Sequence, residues 1–300
     1  MSSVLILGGS GFVGTHLNTL LKNTYDVVSA GDEFDIRDLN SIKTLVAKVQ
    51  PDKVVNLAAV STLKESFQNP YSTYDINFIG TLNILTALRD IDFHGRFLFV
   101  SSSEVYGLLV DDDLPVSESH RLRPLNPYAV SKAASEMLCY QWSQTESFEI
   151  VVARPFNHIG PGQSERFALA DFGRQIAAIK LGLSNPVLHV GDIDTTRDFT
   201  DVRDIVRAYY LLLELGQNGE VYNICSGVER SVRSLLMSMC ELTNLQIKVT
   251  QQPERIRKIE QRRFCGNNSK LVKLTGWNQL FTIEQTLSDI IDYWEIRLDV

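Results

Sequence analysis

The sequence lacks most of what would mark a membrane, nucleic-acid-binding or disulfide-framed protein. Its apolar runs are short and interrupted, and none approaches the ~20 residues that a membrane-spanning helix needs. Positive charge is scarce: 29 Lys and Arg stand against 36 Asp and Glu, a net charge of −7, which argues against a general nucleic-acid binder. The four cysteines, Cys139, Cys225, Cys240 and Cys265, follow no CxxC spacing, so reduced structural thiols in a cytoplasmic protein are expected rather than a metal or redox motif. The first residues, MSSVLILGG, lack a basic stretch and run at once into glycines, so no secretory leader is expected. Internal repeats and low-complexity segments are also missing.

What is present is alternation. Short β-rich apolar runs (SVLILGG, YDVVSA, DKVVNLAA, RFLFVSSS, EIVVARP) are separated by helical patterns such as Leu39–Gln50 and Thr73–Arg89. Strands that are apolar nearly throughout predict a parallel sheet covered by helices on both faces, an α/β fold of the doubly wound type. This texture fills residues 1–160. Beyond RPFNHIGPGQ it changes to one helix with several loops, then a helix near 231–243, a basic stretch at 255–263 and an amphipathic helix near 282–297. The pattern predicts a dinucleotide-binding domain over 1–160, with segments near 187–225 returning to it, and a smaller C-terminal α/β lobe over 161–300.

VLILGGSGFVGTHL reads as a strand, a glycine turn and a helix start. Gly8, Gly11 and Gly14 fit GxxGxxG, and Gly9, Gly11 and Gly14 fit GxGxxG. Glycines permit a tight turn and a close approach of backbone N–H groups to a pyrophosphate, to which the helix N-terminus adds a favourable dipole. The adenosine end is less legible. Asp32 or Glu33 is available for a ribose, no arginine for a 2′-phosphate follows at once, and the choice between NAD and NADP stays open. Asp38 is placed to cap the following helix.

Tyr128 and Lys132 in NPYAVSK stand four residues apart, which on a helix sets them on one face. An ammonium beside a phenol lowers the phenol from its usual value of about 10 toward neutrality, where it exchanges protons with an alcohol or carbonyl. A hydride transfer requires such a proton step beside it. FLFVSSSEVYG runs a strand into Ser101, Ser102 and Ser103, at the sheet edge where parallel sheets bind ligands, so a hydroxyl there can hold the reacting oxygen.

Together GGSGFVG, NLAA (56–59), NFIGTLNIL (77–85), SSSEVYG, PYAVSK and ARPFNHIGPGQ resemble the extended short-chain dehydrogenase/reductases that act on nucleotide sugars, a likeness that covers nearly the whole chain. The resemblance implies a Rossmann-type domain that binds NADH or NADPH, followed by a lobe for the nucleotide sugar. It places Gly8, Gly11, Phe12, Val13 and Gly14 at the cofactor pyrophosphate, Asp35 and Ile36 at the adenine, and Leu57, Ala58 and Ala59 along the cofactor's middle. It makes Ser102 the hydroxyl on the reacting oxygen, Tyr128 the acid/base, and Lys132 the residue that holds the nicotinamide ribose and tunes Tyr128. Asn56 stands where many relatives have histidine.

RPFNHIGPGQ, VGDIDTTRDFTDVRDI, VYNICSG and IEQRR look most like members that reduce the 4-keto group of GDP-4-dehydro-6-deoxy-D-mannose to GDP-D-rhamnose. The same alignment gives Ser103, Asn157, Arg197, Arg257 and Glu260 to the substrate. Arg255, Arg257, Lys258, Arg262 and Arg263 form a basic cluster suited to a diphosphate. Dehydration of GDP-mannose is the alternative activity: Glu104, two residues before the tyrosine of VYG, occupies the position from which dehydratases remove a sugar proton. A dinucleotide-sensing protein is the reading outside enzymes; such proteins lose the tyrosine or the lysine, and this chain keeps both. Relatives often form homodimers through the helices at 73–90 and 127–146.

Overall fold

The computed structural model describes residues 1–31, 33–253 and 261–299. In the first half, strands and helices alternate as β1 (Ser3–Leu7), α1 (Phe12–Leu21), β2 (Asp26–Ala30), α2 (Leu39–Val49), β3 (Lys53–Asn56), the short α3 (Leu63–Gln68) and α4 (Pro70–Tyr74), α5 (Gly80–Asp90), β4 (Arg96–Val100), α6 (Pro127–Thr145) and β5 (Glu149–Pro155). The second half runs β6 (Asn157–Ile159), α7 (Ala168–Lys180), β7 (Val187–Val190), β8 (Thr196–Asp201), α8 (Val202–Leu215), β9 (Val221–Ile224), β10 (Glu229–Ser231), α9 (Val232–Glu241), β11 (Lys248–Gln251), α10 (Ser269–Thr275) and α11 (Ile283–Leu298). Among the described residues no helix is long and apolar enough to cross a membrane.

Six strands form one wholly parallel sheet in the order β2-β1-β3-β4-β5-β9. Successive side chains on each strand enter opposite cores. Val4 and Ile6 pack with α1, α8 and α10 on one face, through Leu17, Leu21, Ile205, Leu212 and Leu271. Leu5 and Leu7 pack with α2, α5 and α6 on the other, through Ile42, Val46, Ile84, Leu88 and Trp142. Each fully buried aliphatic side chain contributes ~1.5–3 kcal/mol, so strands apolar on both sides have no stable alternative to a doubly covered sheet. This is a Rossmann-type α/β fold. The strand order reverses between β1 and β3, which opens a crevice at the carboxyl ends of these strands.

The smaller lobe has its own core, built from α7, α9 and α11 around Phe172, Ile176, Leu236, Met239, Ile290 and Trp294. Its strands pair as β10-β8-β6 and β11-β7. Segment 187–225 therefore divides: β7 and β8 pair outside the large sheet, and the chain rejoins that sheet only with α8 and β9. The alternation of apolar residues in β7 and β8 looks alike for either destination, so the sequence did not separate them.

Two local features bear on the site. Asp38 caps α2, accepting from the Asn40 and Ser41 N–H groups at 3.0 and 3.2 Å, as its position predicts. The helix expected over Thr73–Arg89 is interrupted by a π turn at Asp75–Ile79. The extra residue in that turn carries Asn77 into the interior, where its side-chain oxygen accepts from the Val60 N–H at 2.8 Å and its amide donates to Ser131 Oγ at 2.9 Å. Buried donors satisfied at both ends of that amide offset the irregular backbone.

Candidate active site

The glycine turn lies at the end of β1. Gly8 has φ +83°, a conformation that side chains resist, and a Cβ on it would come within 2.7 Å of the Ala58 nitrogen. A Cβ on Gly14 would stand 2.5 Å from the Gly8 carbonyl oxygen. The turn thus presses against both the start of α1 and the Leu57–Ala59 segment that follows β3, and both contacts require glycine. Gly11 precedes α1 and supplies no side-chain cap, leaving the first-turn N–H groups to a ligand. Phe12 stacks on His158 with centroids 6.1 Å apart and meets His16 edge-on, while Val13 packs partly into the core under the sheet. The cradle fits an extended dinucleotide with its pyrophosphate on the turn.

At the adenine end, Ile36 is buried beneath Gly80, and its carbonyl accepts from Asn83 at 3.2 Å. Asp35 forms an exposed ion pair with Arg37 at 2.6 Å, and the Arg37 hydrogen bonds hold its carboxyl below the usual range. The Glu33 carboxylate accepts from Gly31 N–H at 2.9 Å at the end of β2. Asp32 lies outside the described residues.

Ser102 and Tyr128 meet at the carboxyl end of β4. Ser102 follows the strand and caps the next turn, its hydroxyl accepting from Glu104 N–H at 3.2 Å, and it stands near enough to the Tyr128 phenol to pull its pKa down. Ser103 is buried within that turn. Asn126 caps α6 by accepting from Ala129 N–H at 2.7 Å, and its amide donates to the Glu104 carboxylate at 3.2 Å. The N-cap thereby links Glu104 to the helix end that carries Tyr128. Lys132, one turn further along α6, is almost fully buried; its ammonium donates to the Val100 carbonyl at 2.7 Å and lies over the Phe99 ring.

This arrangement corrects one expectation. The Tyr128 phenol is not acidified. Burial pushes it up to about 12; Ser102 opposes the rise and the negative charge of Glu104 adds to it. The physical reason is that desolvation dominates, and the Lys132 ammonium is drawn to the Val100 carbonyl rather than to the phenol. Burial in turn lowers Lys132 to about 8, against the charges of Cys139 and Glu136.

The substrate-side residues are less concentrated. Asn157 is exposed at the start of β6, beside Phe199 of β8. Arg197, on β8, donates to the Thr196 carbonyl at 2.8 Å. Arg255, Arg257, Lys258 and Glu260 lie outside the described residues. Arg262 and Arg263 are matched by carboxylates, Arg262 with Asp192 at 2.5 Å and Arg263 with Glu229 at 2.7 Å and Asp111 at 3.3 Å.

A family model described as GDP-mannose 4,6 dehydratase matches residues 32–290. The chain belongs to that family. Within it, the chain is 43% identical over 298 residues to the GDP-6-deoxy-D-mannose reductase of Pseudomonas aeruginosa, covering 98% of both chains. It is 30% identical to the GDP-6-deoxy-D-talose 4-dehydrogenase of Aggregatibacter actinomycetemcomitans, covering 93% of each. The solved structure of RMD from Pseudomonas aeruginosa complexed with NADPH superposes with a TM-score of 0.93 at 42% identity, covering 99% of this chain and 100% of that one.

Sequence reading passed over a polar network just behind this family's site. Glu136 and Arg154, each 5% exposed, form a buried ion pair at 2.5 Å, and Arg154 continues to the Tyr106 hydroxyl at 3.0 Å and thence to Asn223. Its only signal in the sequence is an acidic residue four positions after Lys132 and an arginine inside an otherwise apolar strand.

Proposed function

We propose that the protein reduces the 4-keto group of GDP-4-dehydro-6-deoxy-D-mannose to GDP-D-rhamnose, with NADH or NADPH as reductant. The supporting observation is the approach of Ser102 to the Tyr128 phenol at the end of β4, with Lys132 anchored on the adjoining carbonyl, in a chain alike over its whole length to a GDP-sugar reductase. Gly8, Gly11, Phe12, Val13 and Gly14 hold the cofactor pyrophosphate, Asp35 and Ile36 flank the adenine, and Leu57, Ala58 and Ala59 line its middle. Ser102, Ser103, Asn157, Arg197, Arg257 and Glu260 bind the substrate. When bound, the dihydronicotinamide supplies the hydride that reduces C4. Ser102 steadies the ketone oxygen and Tyr128 gives it a proton as negative charge develops. Lys132 binds the nicotinamide ribose and keeps a positive charge near the oxygen.

A phenol held near 12 is suited to this direction. It stays protonated at neutral pH and is ready to give its proton to an alkoxide, which is a stronger base. Dehydration of GDP-mannose, the second reading, is favoured by Glu104, whose carboxylate lies close enough to raise the Tyr128 phenol. Oxidation of a sugar hydroxyl, however, asks that phenol to take a proton, which is the harder task for it. Supplying GDP-mannose and its 4-keto-6-deoxy derivative separately, and following reduced cofactor and sugar product, separates the readings; conversion of GDP-mannose without consumption of the keto sugar contradicts the reductase.

Lys132 sets the pH dependence. Its pKa falls from 10.5 to about 8, so its charge is present below pH 8 and lost above, while Tyr128 keeps its proton across that interval. The kcat/KM for the keto sugar, which reports the free enzyme, is expected to fall about tenfold per pH unit above roughly pH 8. A profile flat from neutrality to well above pH 9 contradicts the role given to Lys132.

We place the enzyme in the cytoplasm as a homodimer. The exposed Met137 and Tyr140 of α6, with Phe67 of α3 and Tyr71 of α4, support an apolar contact between copies, and four buried free cysteines suit a reducing compartment. A monomeric mass by light scattering contradicts the dimer.

A further inference from the structure

We propose that Glu136 is a positioning residue for the reduction: clamped by Arg154, its carboxylate fixes the Ser101 end of β4 and so holds Ser102 and the Lys132 anchor in place for Tyr128. This rests on the reductase reading above. Tyr128, Lys132 and Glu136 follow one another at four-residue steps along α6, on one face. Each reaches the same three residues at the carboxyl end of β4: Tyr128 comes near Ser102, Lys132 donates to the Val100 carbonyl, and Glu136 accepts from the Ser101 hydroxyl. Ser101 thus lies between the two residues on which the reacting pair depends. Its own N–H is bound to the Ala153 carbonyl at 2.8 Å, which leaves the hydroxyl as the free handle by which α6 takes hold of the strand end.

The carboxylate that takes this handle cannot easily move. Arg154 Nε donates to both of its oxygens, at 2.9 and 3.1 Å, and Nη2 donates to Oε2 at 2.5 Å. Arg154 is itself fixed through Tyr106, and the Tyr106 hydroxyl donates to Asn223 on β9 at 2.7 Å. The chain of contacts runs from β9 through β5 to α6 and the end of β4. A pair serving stability alone has no need of Ser101; an apolar pair of similar volume would fill the space at least as well.

The charge of Glu136 also bears on Lys132. The groups facing the ammonium are Cys139 and Glu136 from α6 and the Val100 carbonyl and Phe99 ring from β4, with Arg154 of β5 paired to Glu136. Cys139 and Glu136 both oppose the lowering of Lys132 by burial, and Glu136 is the carboxylate of the two.

The test compares purified Glu136→Gln and Ser101→Ala with the wild type for melting temperature, kcat, KM for both substrates and the pH profile of kcat/KM. Glu136→Gln keeps volume and acceptor but removes the charge. The alkaline limb is expected to move down by about one pH unit and kcat at neutral pH to fall about tenfold, with the dinucleotide KM within about twofold of wild type. Ser101→Ala leaves every charge in place. It is expected to lower kcat about three- to tenfold, with the limb unmoved and folding intact. Variants that melt earlier yet keep the wild-type kcat and limb make the network merely structural and overturn the proposal. If Glu136→Gln does not fold, an unchanged kcat in Ser101→Ala overturns it alone. A wild type that leaves the keto sugar untouched overturns the reductase reading and this proposal with it; an active wild type with unmoved variants overturns this proposal only.

Discussion

Replacing Tyr128 with Phe is expected to lower kcat for the keto sugar about 10²–10⁴-fold, the usual worth of one positioned proton-transfer group, while the reduced dinucleotide binds within about twofold of wild type. The substitution removes one hydroxyl and little packing, because the ring remains. What is lost is the proton that Ser102 orients toward the ketone oxygen. The other nearby donors do not replace it: the Ser102 hydroxyl is a weaker acid than a phenol and can steady the oxygen without protonating it, and Lys132 is anchored on the Val100 carbonyl. The phenol's high pKa makes this prediction sharper than an acidified phenol would. An acid near 12 does its work in the transition state, as the oxygen becomes basic, so its loss falls on kcat more than on KM. Single-turnover and steady-state rates, with cofactor binding measured separately by fluorescence titration, check it. A variant that keeps a tenth or more of wild-type kcat removes Tyr128 from the proton path.

The frame of this site was legible because it rests on local patterns. Apolar strands between helices demand a covered parallel sheet; Gly8 and Gly14 can be nothing else where a Cβ would strike backbone at 2.7 or 2.5 Å; and a tyrosine four residues before a lysine must share its helical face. What the sequence hid depends on burial and on distant partners. Spacing alone said that Lys132 should acidify Tyr128, but it could not say that the ammonium would find the Val100 carbonyl first, nor that desolvation would outweigh the pull of Ser102. The same applies to the arginine cluster. Arg262 and Arg263 looked like free forks for a diphosphate, and only the fold brings Asp192, Asp111 and Glu229 against them from segments about 30 to 150 residues away in sequence. The π turn at Asp75–Ile79 was hidden for a related reason: its benefit is Asn77 reaching Val60 and Ser131, a tertiary contact that no helical periodicity announces.

Arg154→Ala is expected to destabilise the fold by about 3 kcal/mol. The reason is asymmetric. With both partners present, the Glu136 carboxylate has Arg154 Nε, Arg154 Nη2 and the Ser101 hydroxyl around it. Without Arg154 it keeps one neutral hydroxyl and remains 5% exposed, a charge withdrawn from water with almost nothing in return. Breaking a buried pair in this way costs about 3–5 kcal/mol. A cavity of about 280 Å³ lined by both side chains, with Met137, Tyr140 and Val152, admits water toward the carboxylate, which places the expected loss at the lower end of that range. In a chain of 300 residues about 3 kcal/mol corresponds to a melting temperature lower by roughly 5 °C. The double replacement Arg154→Met with Glu136→Leu should recover most of this stability, since it removes the stranded charge and fills the space with apolar atoms. It should not recover catalysis, because neither new side chain can accept from Ser101. Equilibrium urea unfolding of the two variants, with kcat measured on each, separates what the pair does for folding from what it does for the reaction. A single variant within about 1 kcal/mol of wild type would mean that water already shares the charge and that the pair is weaker than its geometry implies.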